Sequence, residues 1–149
     1  MDDLHTTTLL ERSRTATVAD AMTQGVVSCA PETPLRAVAT LMAERRIHAV
    51  YVFDYGVEDD ETVLLWGLVS DLDVVAASTR DVDRLRARDS AVAPLVTIES
   101  SETLAAAAAL IAETGASHLA VVDPVTARPV GVLSTFDVVR HVARGGGGS

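Results

Sequence analysis

The segment Gly67-Leu68-Val69-Ser70-Asp71-Leu72-Asp73-Val74-Val75 returns as Gly131-Val132-Leu133-Ser134-Thr135-Phe136-Asp137-Val138-Val139. In both, an apolar run leads into Ser-x-x-Asp, the pattern of a strand ending where a helix starts. Working back from this segment, a shift of 69 residues lays Val18–Asp54 over Ala87–Asp123 without a gap. Asp20 meets Asp89, Val27 meets Val96, Leu35 meets Leu104, Leu41 meets Leu110, Glu44 meets Glu113 and Asp54 meets Asp123. After Asp54 the first copy holds five extra residues, and the register resumes at a shift of 64. Agreement on both sides of one loop-sized insertion identifies an internal repeat.

Each copy reads β-α-β-β-α. A short strand (Val26–Cys29; Leu95–Ile98) precedes a helix, Leu35–Arg46 in the first copy and Leu104–Thr114 in the second. Leu35, Val38, Leu41 and Met42 share one face of the first helix, and Pro34 suits its first turn. Gly115 is the stop signal of the second. A β-branched strand follows (Val50–Phe53; Leu119–Val122), then a further strand (Leu64–Val69; Val130–Leu133) and a last helix (Asp71–Ala77; Thr135–Ala143). Tyr55–Thr62 reads as an exposed acidic hairpin, and Thr79–Arg88 as a partly helical link. The resulting division is a flexible segment 1–16, repeat one at 17–80, linker and repeat two at 81–144, and a flexible Gly/Ser tail at 145–149. One turn is expected around Leu9–Leu10.

Composition narrows the function classes. The 149 residues carry a formal charge of −9, so counterion release offers little for nucleic acid, and no such partner is expected. All twelve basic residues are Arg. Aromatics are only 3%, which leaves Val, Leu, Ala and Ile to build the core of an α/β (α+β) fold. The single cysteine, Cys29, forms no internal disulfide. No signal peptide or membrane-length apolar run is visible, so a soluble cytoplasmic protein is expected.

The duplicated Ser-x-x-Asp admits two readings. In one it is a capping box, with the Ser oxygen accepting an orphan amide and the acid reaching back. In the other, the helix N-terminus and the Ser hydroxyl hold a phosphate, while the Asp accepts ribose hydroxyls. Ser70, Asp73, Ser134 and Asp137 are the residues concerned.

The tandem β-α-β-β-α units, the strand ending in Asp and the Gly-x-x-Ser-x-x-Asp junction resemble a CBS domain pair, or Bateman module, from about Val18 to Ala143. The resemblance implies two repeats packed by their sheets with pseudo-twofold symmetry. It also implies clefts that bind AMP, ADP, ATP, S-adenosylmethionine or a similar adenosine-containing ligand. By position, Asp73 and Asp137 would hold ribose, Ser70 and Ser134 would face phosphate, and Val26, Val27, Leu95 and Val96 would line adenine. His48, Ser117 and His118 stand where the family often supplies phosphate contacts. Where the family often has Pro in the middle strand, this chain has Tyr51 and Ala120, and Tyr51 would narrow the first cleft. Asp71 adds negative charge to the first motif where the second has Thr135, which favours the second.

No catalytic residues, metal site or cofactor are expected. Cys29 lies in a predicted strand without a nearby His, and the serines lack a nucleophile elbow. His5, His48, His118 and His141 are scattered. The acidic loop Glu58–Glu61 lacks a calcium-loop pattern. The expected role is a stand-alone regulatory module, most naturally a homodimer, that senses a ligand and signals to a separate effector protein. The alternative is a ligand-free dimerisation scaffold in which Ser and Asp only cap helices.

Overall fold

The computed structural model describes residues 16–91 and 95–146, with side chains placed except at 62–65 and 146. The expected N-terminal turn at Leu9–Leu10 and the last residues of the tail, 147–149, lie outside these. In chain order the elements are α1 (Val18–Ala21), β1 (Thr23–Gln24), β2 (Ser28–Cys29), α2 (Leu35–Arg45), β3 (Ala49–Glu58) and β4 (Glu61–Ser70). Then come α3 (Asp71–Ala77), a 3-10 turn (Val82–Arg84), α4 (Ala87–Ser90), β5 (Thr97–Glu99), α5 (Leu104–Thr114), β6 (His118–Val122), β7 (Pro129–Ser134) and α6 (Thr135–Gly146).

The chain divides into two compact units. One is Val26–Leu95, and the other joins the residues up to Gly25 with those from Val96 onward. The short leader helix α1, first in the sequence, is thus completed by the second set of strands and helices. Its counterpart α4 belongs with the first set.

In the Val26–Leu95 unit, β2 runs parallel to β3 and β3 antiparallel to β4, in the order β2-β3-β4. Leu35, Val38 and Met42 of α2 are spaced to share one helix face, and they bury it against Val50, Val52 and Val69 of the sheet. Ala77 and Ala87 close this core. The link after α3 is held down by charge. Arg36 forks onto Asp83 at 2.5 and 3.2 Å, and Arg86 Nη1 donates to the Glu32 carbonyl at 2.7 Å.

The other unit has the sheet order β1-β7-β6-β5, with β5 parallel to β6 and the other pairs antiparallel. Its core is Val18, Ile98, Leu104, Ala107, Leu119, Val121 and Leu133. Leu35 and Leu104, Val50 and Leu119, and Val52 and Val121 are repeat partners, so the repeat is a repeat of core positions. Burying each such side chain contributes about 1.5–3 kcal/mol.

The order of elements is as expected, and several boundaries move. Val26 and Val27 lie outside β2, and a two-residue β1 precedes them to pair with β7. The second leading strand is Thr97–Glu99, so Leu95 and Val96 fall before it. The expected acidic hairpin at Tyr55–Thr62 is present, with β3 and β4 continuing as ten-residue strands paired out to Glu58 and Glu61. Asp59 and Asp60, both at positive φ, make its two-residue turn. Pro34 is the N-cap of α2, and Arg46 takes the left-handed C-cap position. Gly115 takes that position after α5, as its sequence signal requires. Helix α6 runs to Gly146, two residues into the Gly/Ser stretch.

Candidate functional site

Both Ser-x-x-Asp segments sit where a strand turns into a helix, at β4–α3 and β7–α6. At the first, Asp73 Oδ2 accepts the Ser70 backbone N–H at 2.8 Å and the Ser70 hydroxyl at 2.9 Å. Ser70 Oγ in turn accepts the Asp73 N–H at 3.3 Å. At the second, Asp137 Oδ2 accepts the Ser134 N–H at 2.8 Å and Ser134 Oγ accepts the Asp137 N–H at 3.2 Å. These are capping boxes, and each uses a single carboxylate oxygen. The other oxygen distinguishes the copies. Asp137 Oδ1 accepts Nη2 of Arg140 at 2.6 Å, whereas position 76, the repeat partner of Arg140, is alanine.

A small cavity adjoins each of these aspartates. In the Val26–Leu95 unit it is lined by Asp73, Ala76, Ala77, Arg80, Asp89 and their neighbours, with a volume of about 220 Å³. In the other unit it is lined by Asp20, Met22, Asp137, Arg140, His141 and Arg144, with a volume of about 180 Å³. Asp20 and Asp89 are repeat partners, as are Arg80 and Arg144, so the cavity itself is duplicated. Asp20 and Asp89 also cap their short helices, accepting the N–H of Thr17 at 2.9 Å and of Arg86 at 2.8 Å. Bonding to the Thr17 backbone holds the Asp20 carboxyl below its usual range, aided by the Thr17 side chain and by the charge of His141. Each cavity therefore presents two carboxylates, each with one oxygen bonded at a helix start, and an arginine of the Arg80/Arg144 pair, just past the end of α3 or in the last turns of α6. Both are below the roughly 300 Å³ of pockets that enclose a drug-sized ligand, and have room for a sugar or a phosphate.

The other predicted residues lie apart from these cavities. His48 Nδ1 is 2.9 Å from Asp71 Oδ2, at the start of α3. Ser117 Oγ is 2.9 Å from His118 Nδ1 beside the start of α6. Val26 is exposed, while Val27, Leu95 and Val96 are half-buried. The Val27 and Val96 carbonyls accept the N–H groups of Tyr51 at 2.9 Å and Ala120 at 3.0 Å. None of the four lines either cavity. Tyr51 is buried, with its ring centroid 5.8 Å from Phe53 and 5.6 Å from Trp66. Asp20, Asp89, Arg80, Arg140 and Arg144 were not singled out by sequence reasoning. Recurrence of Asp20 at Asp89 and of Arg80 at Arg144 is the sequence signal that could have found four of them.

Burial pushes the Cys29 thiol up, against a smaller opposing hydrogen bond from Thr33, and Cys29 packs at the edge of the core. That is the setting of a packing residue rather than a nucleophile. No group of three or more metal-ligating side chains occurs among the described residues. Among them, no helix is long and apolar enough to cross a membrane.

Residues 18–80 and 87–144 each match the CBS domain family. With two such matches over most of its length, the chain belongs to the CBS domain family as a tandem pair. Among solved structures, it is similar to CBSX2 in complex with AMP, at 27% identity and a TM-score of 0.62, covering 87% of this chain and 97% of that one. CBSX2 is a CBS-pair protein from Arabidopsis thaliana. The hexameric CBS-CP12 protein of bloom-forming cyanobacteria shares the fold at 22% identity and a TM-score of 0.70, covering 83% and 69% of the two chains. So does the CBS pair of protein MJ0100, in complex with 5′-methylthioadenosine and S-adenosylmethionine, at 17% identity and a TM-score of 0.71, covering 87% and 97%. No curated protein matches the sequence.

Proposed function

We propose that this protein is a cytoplasmic regulatory module that binds an adenosine-containing ligand and does no chemistry on it. The observation that carries the reading is the duplicated cavity, built in each unit around the aspartate of the Ser-x-x-Asp junction. Capping uses one oxygen of each of these carboxylates, and the second is suited to ribose hydroxyls. Ser70 and Ser134, at the helix starts beside the cavities, are the proposed phosphate contacts, with His48, Ser117 and His118, outside the cavities, as further ones. Val26, Val27, Leu95 and Val96 lie outside the two cavities and are the proposed adenine contacts for a ligand that extends beyond them. The AMP-bound relative, at 27% identity, supports the ligand class. Ligand binding then shifts the population of conformations, and a separate effector protein reads the shift.

Thermal melts with AMP, ADP, ATP, S-adenosylmethionine, NAD and cyclic dinucleotides test the reading. A bound ligand raises the midpoint in proportion to the logarithm of its concentration. Absence of any shift at millimolar ligand, with no heat of binding by calorimetry, would refute it.

A second reading has its own support. Leu72 and Val75 on α3, and Phe136, Val139 and Val142 on α6, are all exposed. Leu72 and Phe136 are repeat partners, as are Val75 and Val139, and such faces suit a homodimer. If the protein is only a scaffold, Val139→Asp dissociates a dimer in sedimentation experiments while no ligand changes its mass or melting.

A further inference from the structure

We propose that Arg140 makes the Asp137 cavity selective for a ligand that carries a phosphate. This rests on the adenosine-binding reading above and deepens it. Asp137 is nearly buried, 7% exposed, and Arg140 Nη2 donates to its Oδ1 at 2.6 Å. The Arg140 guanidinium also lies over the Phe136 ring, 5.6 Å from its centroid, which holds the fork beside the cavity while its side chain stays half exposed. Asp137 Oδ1 has a second lone pair, so a sugar hydroxyl that bonds it must crowd against Arg140 Nη2 or take its place.

The chemistry of that exchange discriminates between ligands. An uncharged nucleoside displaces the arginine and offers nothing for its charge, so a charge-assisted bond is lost. A phosphorylated nucleoside presents a new anion to the displaced fork, whose planar donors match phosphate oxygens. The difference between the two losses is the selectivity. Arg144 lines the same cavity and offsets the charge of Asp20, the second carboxylate there. At the matching positions of the other cavity stand Ala76, Ala77 and Arg80. There Asp73 has no arginine three residues on, so a sugar meets no competitor for its second oxygen.

Calorimetric titration of AMP and adenosine into the full chain carrying Asp73→Asn isolates the Asp137 cavity, since Asn still accepts the Ser70 N–H. AMP is expected to bind at least about tenfold tighter than adenosine there. Adding Arg140→Ala or Arg140→Gln should bring the two within about threefold, by weakening AMP and strengthening adenosine. Circular dichroism checks that both variants fold. In the converse background, Asp137→Asn, the substitution Ala76→Arg should create a preference for AMP in the other cavity. If both ligands bind and the ratio is unmoved by Arg140→Ala and Arg140→Gln, the role of Arg140 is wrong and the adenosine reading stands. If neither ligand binds the unsubstituted protein, both readings fall together.

Discussion

His48 and Asp71 are joined twice. Nδ1 of the imidazole is 2.9 Å from Asp71 Oδ2, and the Asp71 backbone N–H donates to the His48 carbonyl at 2.9 Å. The second copy keeps the backbone bond, from Thr135 N–H to the Ser117 carbonyl at 3.0 Å, but Ser117 turns its hydroxyl to His118. The backbone bond ties each last helix to the start of the middle strand, while the side-chain pair is an addition in copy one.

That addition is exposed on both partners, at 71% and 48% of their side-chain surfaces, so it contributes little to stability. A double-mutant cycle of His48→Gln and Asp71→Asn, followed by urea unfolding, should give a coupling below about 1 kcal/mol. Asp71→Thr, which copies the second repeat, should change stability by no more than about 1 kcal/mol. It should also strengthen binding of a phosphorylated ligand by the Val26–Leu95 unit, because a negative charge beside the site is removed. Coupling well above this range would mean that the pair holds the two elements together.

The two roles of the Ser-x-x-Asp aspartates separate by substitution. Asp137→Ala removes the acceptor for the Ser134 N–H and should destabilise the protein by about 1–2 kcal/mol without any ligand. Asp137→Asn keeps an acceptor at that place and should recover most of the loss. Neither variant should retain the ligand-dependent rise in melting midpoint at this cavity, since the carboxylate is gone. Retention of the full rise in Asp137→Ala would leave the residue a cap and nothing more.

Much of the fold was legible because the repeat is written in buried positions. Leu35 with Leu104, Val50 with Leu119, Val52 with Val121 and Val69 with Leu133 are all buried, and each pair recurs at the expected shift. The exchange of leaders was not legible. The recurrence of Asp20 at Asp89 places a leader before each copy, but nothing local tells that Thr23 and Gln24 pair with Val132 and Gly131 across more than a hundred residues. The acidic hairpin beyond Asp54 was legible as one, but the full length of its ladder out to Glu58 and Glu61 is set by backbone bonding that its polar and glycine residues do not announce. The junction aspartates stood out as a motif, whereas Arg140 did not. Its meaning depends on a carboxylate oxygen that capping leaves over, which is a matter of geometry.

The two junction glycines, Gly67 and Gly131, look alike in sequence and differ in their surroundings. A Cβ at Gly131 would stand 2.5 Å from the Thr23 carbonyl oxygen and 3.0 Å from Met22 Sδ. Since backbone of β1 is what it meets, Gly131→Ala should disrupt the β1–β7 pairing and destabilise by about 1–3 kcal/mol. Among the described residues, a Cβ at Gly67 would meet only Ala91 Cβ, at 3.1 Å. Gly67→Ala should be milder, and Ala91→Gly should relieve it. Chemical denaturation of the three variants decides the point, and equal losses at both glycines would contradict it.

Acid stability should follow two backbone-bonded carboxylates more than the surface ion pair. Asp123 is held below its usual range chiefly by the N–H groups of Thr126 and Val125, at 2.9 and 2.8 Å, and Asp20 chiefly by that of Thr17. Asp83 is lowered instead by the Arg36 side chain. A carboxylate whose folded value is depressed adds stability that is fully present above its unfolded value, near 3.8 for Asp. That stability fades as pH falls through the ordinary carboxylate range toward the lower folded value, because the unfolded chain takes up the proton first. The melting midpoint should therefore be lost progressively below about pH 5, and Asp20→Asn with Asp123→Asn should flatten that limb. Raising the salt concentration should weaken the contribution of the exposed Asp83–Arg36 pair and affect the other two less, since their main partners are neutral backbone amides. Melts of Asp20→Asn, Asp123→Asn, Asp83→Asn and the Asp20→Asn/Asp123→Asn double variant from about pH 3 to pH 7, at low and high salt, read this directly. An acid limb as steep in the double variant as in the unsubstituted protein would assign the acid sensitivity to other groups.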